Sequence, residues 1–155
     1  MKKINKIILF LFLILGTVSF SALELDTDKI QKKNLQITVQ DEVVVTLEKS
    51  EKDYEESIFY ILGKENETAK DISQATVKTA LKSQKVISSY ETEKVYVVKF
   101  KEMGSGIISY SVVDKQITTK GWYVGIIFVP KKELSESELN KTFNNLLDEA
   151  RNFIK

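Results

Sequence analysis

Apolar positions follow three different rhythms along this chain: one unbroken run near the start, a period of two through the middle, and a helical period at the end. The period-two stretches are the most numerous. Residues 35–39 (LQITV) and 43–48 (VVVTLE) alternate as half-buried strands do, the second around Val43, Val45 and Leu47, with a hairpin through Gln40 and Glu42 between them. Residues 53–63 are ambiguous, since Tyr54, Ile58, Phe59 and Leu62 fit a helical stripe whereas IFYIL has the composition of a strand. A turn followed by a strand ending at Gly63 is the preferred reading. Residues 64–71 form a polar loop, and residues 71–85 predict a helix with Asp71 as N-cap, Gln74 in its first turn, and Ile72, Ala75, Ala80 and Leu81 on one side.

Four more strand-like runs follow, at 86–90, 94–100, 106–118 and 121–129. The connections between them are too short for the crossover that parallel strands require, so antiparallel neighbours are expected. Three same-face sets are expected to form the sheet side of the core: Tyr96, Val98 and Phe100; Ile108, Tyr110 and Val112; and Trp122, Val124, Ile126 and Phe128. Residues 134–154 carry the helical rhythm. Ser135 is the expected N-cap, Glu138 completes a capping box, Leu134 staples against Leu139, and Leu139, Phe143, Leu146, Leu147, Ala150, Phe153 and Ile154 make one stripe. The fold class this predicts is α+β, an antiparallel sheet packed against an amphipathic C-terminal helix and one further helix. Residues 35–155 read as a single domain, preceded by a loose leader or short helix over 22–34.

The unbroken apolar run reads as a secretory signal peptide over residues 1–21. Lys2, Lys3 and Lys6 precede Ile7 to Leu15, and small side chains at Ser19 and Ser21 suit a peptidase cut after Ser21, with Ala22 the next choice. A retained membrane anchor would need about 20 apolar residues, and this run is broken by Gly16, Thr17 and Ser19 before it meets Glu24 and Asp26. An exported protein, periplasmic or extracellular, with no stable membrane span after cleavage is expected. The 23 basic and 22 acidic residues are interspersed, which argues against a nucleic-acid partner. Loss of the three leading lysines turns a net charge of +1 slightly negative.

Histidine and cysteine are absent, which removes the commonest general base, the thiol nucleophile, disulfides and thiolate zinc sites. Adjacent or near-adjacent acids (Asp26 with Asp28, Glu55 with Glu56, Asp148 with Glu149) read as solvated faces, and no metal or cofactor is expected. The Thr46/Lys49 and Thr79/Lys82 spacings read as ordinary surface residues, and MGSG at 103–106 as a hairpin connection. No catalytic residue is named. What remains is recognition: the last strand is apolar on both faces, so its second face needs a cover, either the helix at 71–85, a partner protein or a small apolar ligand. If not covered by the chain itself, Tyr123 and Ile127, with Ser109 and Ser111 beside them and Gly125 leaving room for close approach, would line a shallow binding site.

This layout, a helix, then the antiparallel run VISSYETEKVYVVKFKEMGSGIISYSVVDKQITTKGWYVGIIFV, then a closing amphipathic helix, resembles that of PsbP-like and DcrB-like exported domains across residues 35–154. The resemblance rests on element order. It implies a non-catalytic domain that binds or assembles other envelope proteins, and it transfers no site residues. A small exported binding or assembly protein of the bacterial cell envelope is therefore the leading expectation. An envelope-acting hydrolase using carboxylates or a serine hydroxyl, and a secreted surface factor binding outside partners, are the alternatives.

Overall fold

The structure, a computed structural model, describes residues 23–155; the expected signal peptide and its cut lie outside them. In chain order the elements are α1 (Thr27–Lys32), β1 (Gln36–Gln40), β2 (Val44–Ser50), β3 (Tyr54–Leu62), α2 (Ala69–Lys78), β4 (Gln84–Glu91), β5 (Val95–Glu102), β6 (Ile108–Asp114), β7 (Trp122–Pro130) and α3 (Glu136–Asn152). The strands form one seven-stranded sheet of order β1-β2-β3-β7-β6-β5-β4. Every pairing in it is antiparallel, and the α+β class holds. The β4-to-β7 meander folds back so that β7 docks on β3, with Ile58 opposite Ile126 and Phe59 opposite Gly125.

Helix α3 forms as expected. Ser135 caps it, Glu138 returns the capping bond, and Leu139, Phe143, Leu146, Leu147 and Ala150 are buried against the sheet. Under it lie Leu47, Ile58, Tyr60, Trp122, Val124 and Phe128 from the central strands. The Phe143 ring sits 5.9 Å edge-on to Phe128 and 5.5 Å from Tyr110, the offset geometries that aromatic quadrupoles favour. The Tyr60 hydroxyl donates to the Ala150 carbonyl at 2.8 Å, which pins the far end of the helix to β3.

On β5 the expected core face is reversed. Val95 and Val97, not Tyr96, Val98 and Phe100, join the core under α3. Both faces of this strand are apolar, so alternation cannot choose between them. Pairing does, because Val97 lies opposite Val112 whereas Val98 lies opposite Ser111.

Helix α2 covers the other face, against Val44, Phe59, Ile61, Val113, Tyr123 and Ile127 through Ala69 and Ile72. It is shorter than the expected 71–85 and its N-cap is Thr68, with Asp71 at the third helical position returning the capping bond, so Asp71 was read one role too early. After Lys78 the chain turns, the Gln84 side chain accepts the Leu81 N–H, and β4 starts two residues ahead of expectation. β6 is likewise shorter than 106–118, because Gly106 turns at φ 72° and the Asp114 carboxylate accepts the Gln116 N–H. The leader is packed, not loose. Leu25 bridges Ile154, Asp26 caps α1, and Leu23, Ile30 and Leu35 are buried.

Candidate functional site

The ladder between β6 and β7 is short. It joins Tyr110–Val113 to Phe128–Gly125 and stops, although β6 begins at Ile108 and β7 runs on to Pro130. The reason is in the alternation of backbone groups. Glu102 N–H donates to the Ile107 carbonyl and Lys115 N–H to the Lys94 carbonyl, so odd positions of β6 bond to β5 and even positions face β7. Gly63 N–H to the Gly121 carbonyl and Lys131 N–H to the Asp53 carbonyl place odd positions of β7 toward β3 and even ones toward β6. The next rung would therefore join Ile108 to Pro130, and proline has no N–H to give. The chain's single proline ends the seam.

Beyond that point the strands part and a cleft of about 1050 Å³ opens. Its lining comes from both sides of the sheet: Ile108, Tyr110, Pro130, Leu134 and Leu139 toward α3, and Ser109 and Val129 toward the turn after α2. That size suits a small-molecule site, and its apolar walls are interspersed with charged and polar side chains, Lys99, Glu102 and Glu133 among them. Ile107, 38% exposed, adds an apolar side chain from the β5–β6 turn to the lining.

The charges at the cleft divide into paired and unpaired. Lys131 reaches Glu55 at 3.6 Å and also donates to the Glu51 carbonyl at 2.6 Å, while Lys132 lies 3.5 Å from Asp53. Glu102 accepts from the Ser105 hydroxyl. Lys99 has no acidic partner among the described residues; its ammonium stands 5.7 Å from the centre of the Tyr110 ring.

The residues singled out in the sequence are distributed differently. Tyr123 and Ile127 are buried in the cluster under α2, and the Tyr123 hydroxyl donates to the Glu67 carbonyl at 2.5 Å. Gly125 leaves room for a close approach, but the approaching group is the chain's own Phe59: a Cβ there would stand 2.2 Å from the ring's Cζ. Ser109, Ser111 and Ile127 share a cavity of about 20 Å³ below α2, room for about one water. Ser109 is the one of these that also lines the large cleft.

Of the acid pairs, the pleat separates Glu55, at the cleft, from Glu56, which is fully buried beneath the other face beside Lys49 at 3.3 Å. Burial raises the Glu56 pKa above the ordinary range, and Glu149 and Glu51 add to this against the attraction of Lys49. Burial alone would lower the Lys49 pKa, but the charges and hydrogen bonds of Glu56 and Tyr54 together outweigh it and the net shift is upward. Glu149 pairs with Lys33 at 2.7 Å, and Asp26 serves as the α1 cap. Thr46 and Lys49 likewise face opposite sides of the sheet. Among the described residues no three acids converge as metal ligands would, and no helix is long and apolar enough to cross a membrane.

The cleft was missed from the sequence although its cause was visible: Pro130 ends an otherwise unbroken strand pattern. No family model matches the chain, and no curated protein or solved structure is similar to it.

Proposed function

We propose that this is a small exported, non-catalytic binding protein of the cell envelope, and that the cleft between the parted ends of β6 and β7 takes a small, mainly apolar ligand. The observation that carries the reading is the interrupted seam. The β6–β7 ladder ends at Tyr110–Phe128 although both strands run on, and the space beyond it holds Ile108, Tyr110, Val129, Leu134 and Leu139, which gain by leaving water, among charged and polar neighbours. At the mouth Lys131 and Lys132 pair with Glu55 and Asp53 and Glu102 is held by Ser105, whereas Lys99 and Glu133 form no ion pair among the described residues, an arrangement that offers a ligand a few charged contacts around apolar walls. Both sheet edges carry a bulge, at Thr38 in β1 and Ile87 in β4. Bulged edges discourage strand-to-strand docking, which favours the cleft over an edge as the point of contact. The leading apolar segment and the PsbP-like and DcrB-like element order support an envelope location on sequence grounds.

Native mass spectrometry of the protein recovered from its own host's envelope tests this. The expected result is a mature mass beginning at Ala22 with a bound small molecule, the latter lost when Ile108→Trp fills the cleft. A bare chain in both proteins, at unchanged melting temperature, would overturn the reading.

A further inference from the structure

The face of the sheet beside the cleft carries three lysines that the fold leaves without acids. Lys101 lies opposite Ile108, which packs against the core under α3, so Lys101 shares that face. Lys85 lies opposite Lys101, and Lys99 lies opposite Tyr110 on the same face. None of Lys85, Lys99 and Lys101 forms an ion pair among the described residues. A directly opposed like-charge pair such as Lys85 and Lys101 is unfavourable across antiparallel strands, and no fold requirement here accounts for it. Lys101 leans toward the opening: its Cε lies 4.0 Å from where a Cβ on Gly106 would stand, and Gly106 lines the cleft. Two acids also line the cleft: Glu102, from the opposite face across from Gln84 and held by Ser105, and Glu133, from the chain leaving β7.

From this juxtaposition of a cationic patch and an apolar opening we infer that the ligand is an anionic amphiphile of the fatty-acid type, one apolar chain inserted between β6 and β7 and one carboxylate head set on Lys85, Lys99 and Lys101. The inference rests on the proposed binding role of the cleft and adds the charge of the ligand to it. The opening is a gap in one sheet, bounded by Ile108 and Tyr110 on one strand and Val129 and Pro130 on the other. Tyr110 spans the two parts, its ring forming the cleft wall and holding the Lys99 ammonium over its face. The head-group attraction lies at the surface, where salt screens it, so its share of the affinity falls as ionic strength rises.

The test compares dodecanoate with dodecanol, same chain and different head, by isothermal titration on the full mature protein, dodecanoate below its micellar concentration and dodecanol below its solubility limit. Dodecanoate is expected to bind at least about tenfold tighter than dodecanol at low salt. The double variant Lys85→Gln/Lys101→Gln, at positions outside the cleft lining, is expected to remove most of that difference while leaving dodecanol affinity and melting temperature unchanged. Equal affinities for the two probes in the wild type would overturn the charge inference and leave the apolar cleft standing. Binding of neither would overturn both. Loss of dodecanol binding in the lysine variant would show that the lysines shape the cleft and would overturn their assignment to the head group.

Discussion

The two ends of the β6–β7 seam make an instructive pair. At the closed end, Val113 lies opposite Gly125, and Phe59 from the neighbouring strand fills the space a side chain at position 125 would take. At the open end, Ile108 would face Pro130 across the same two strands, and the rung is absent. Both ends lie in the middle of the sheet and both are bordered by aromatic rings. The difference comes from one residue's missing side chain and another's missing amide proton. A glycine let the strands and a ring pack flush, and a proline let them part. The closed end holds the fold, while the open end gives it a site.

The largest effect that probes this contrast comes from the helix spanning it. Phe143 is fully buried, and its ring bridges Phe128 and Tyr110, the last closed rung before the cleft. Phe143→Ala is expected to lower stability by about 3 to 5 kcal/mol, read from urea unfolding monitored by circular dichroism. A loss well under 1 kcal/mol would mean that α3 does not close the core.

Gly125→Ala strikes the closed end directly. Its Cβ would meet the Phe59 ring at 2.2 Å and the Val112 carbonyl at 2.8 Å, and a backbone oxygen has little room to move. A cost of about 1 to 3 kcal/mol is expected. Adding Phe59→Leu should recover part of it, a positive coupling in a double-mutant cycle. Simple additivity of the two would show that the ring is not what occupies the glycine's space.

Much of this was legible from the pattern of residues. Helix α3 could be read in detail because cap, staple and stripe all agree, and the hairpins because their connections are too short for anything else. The choice of face on β5 was not legible, since Val97 and Val98 are equally apolar and only the partner strand distinguishes them. Helix α2 ran long in the reading because Ala80 and Leu81 continue its spacing, while Thr68, the cap in fact used, sat inside what looked like a polar loop. The apolar second face on β7 announces that something covers it, and of the three covers the pattern allows it is the chain's own helix, α2, that lies there, with Phe59 filling the space beside Gly125. The lysine patch and the open seam are properties of register, which comes from pairing across the whole sheet.

A third effect is smaller and depends on pH. Glu56 lies on the α3 side of β3, opposite Phe128, with Lys49 beside it and Glu149, Glu51 and Tyr54 as the other titrating groups acting on the site. Its folded pKa is raised, so the protonated form contributes stability that is full below the ordinary value of 4.5 and is lost as pH climbs through the folded value. Lys49 stays charged throughout that window, its own pKa being raised from 10.5. Glu56→Gln should therefore match wild type near pH 4 and exceed it in stability at pH 8. Melting curves of both proteins across that range check it. A constant difference would mean that Glu56 keeps one protonation state over the whole span.

The smallest thermodynamic effect carries the sharpest test of the contrast. Pro130→Ala returns an N–H at the position opposite Ile108, where the alternation of bonds aims it at β6. The new rung is worth about 0.5 to 1.5 kcal/mol, and the freedom the unfolded chain regains without proline offsets about 0.4 to 1 kcal/mol, so the net change should stay near zero. The amide of Ile108 should report what stability does not. Its hydrogen exchange should slow markedly as the seam extends one rung, and dodecanol affinity should fall as the cleft narrows. If the Ile108 amide exchanges as fast as before, the strands part for some cause other than proline, and the open end would have to be explained by the turn at Met103–Gly106 or by the pull of Leu134 and Leu139 on the chain leaving β7.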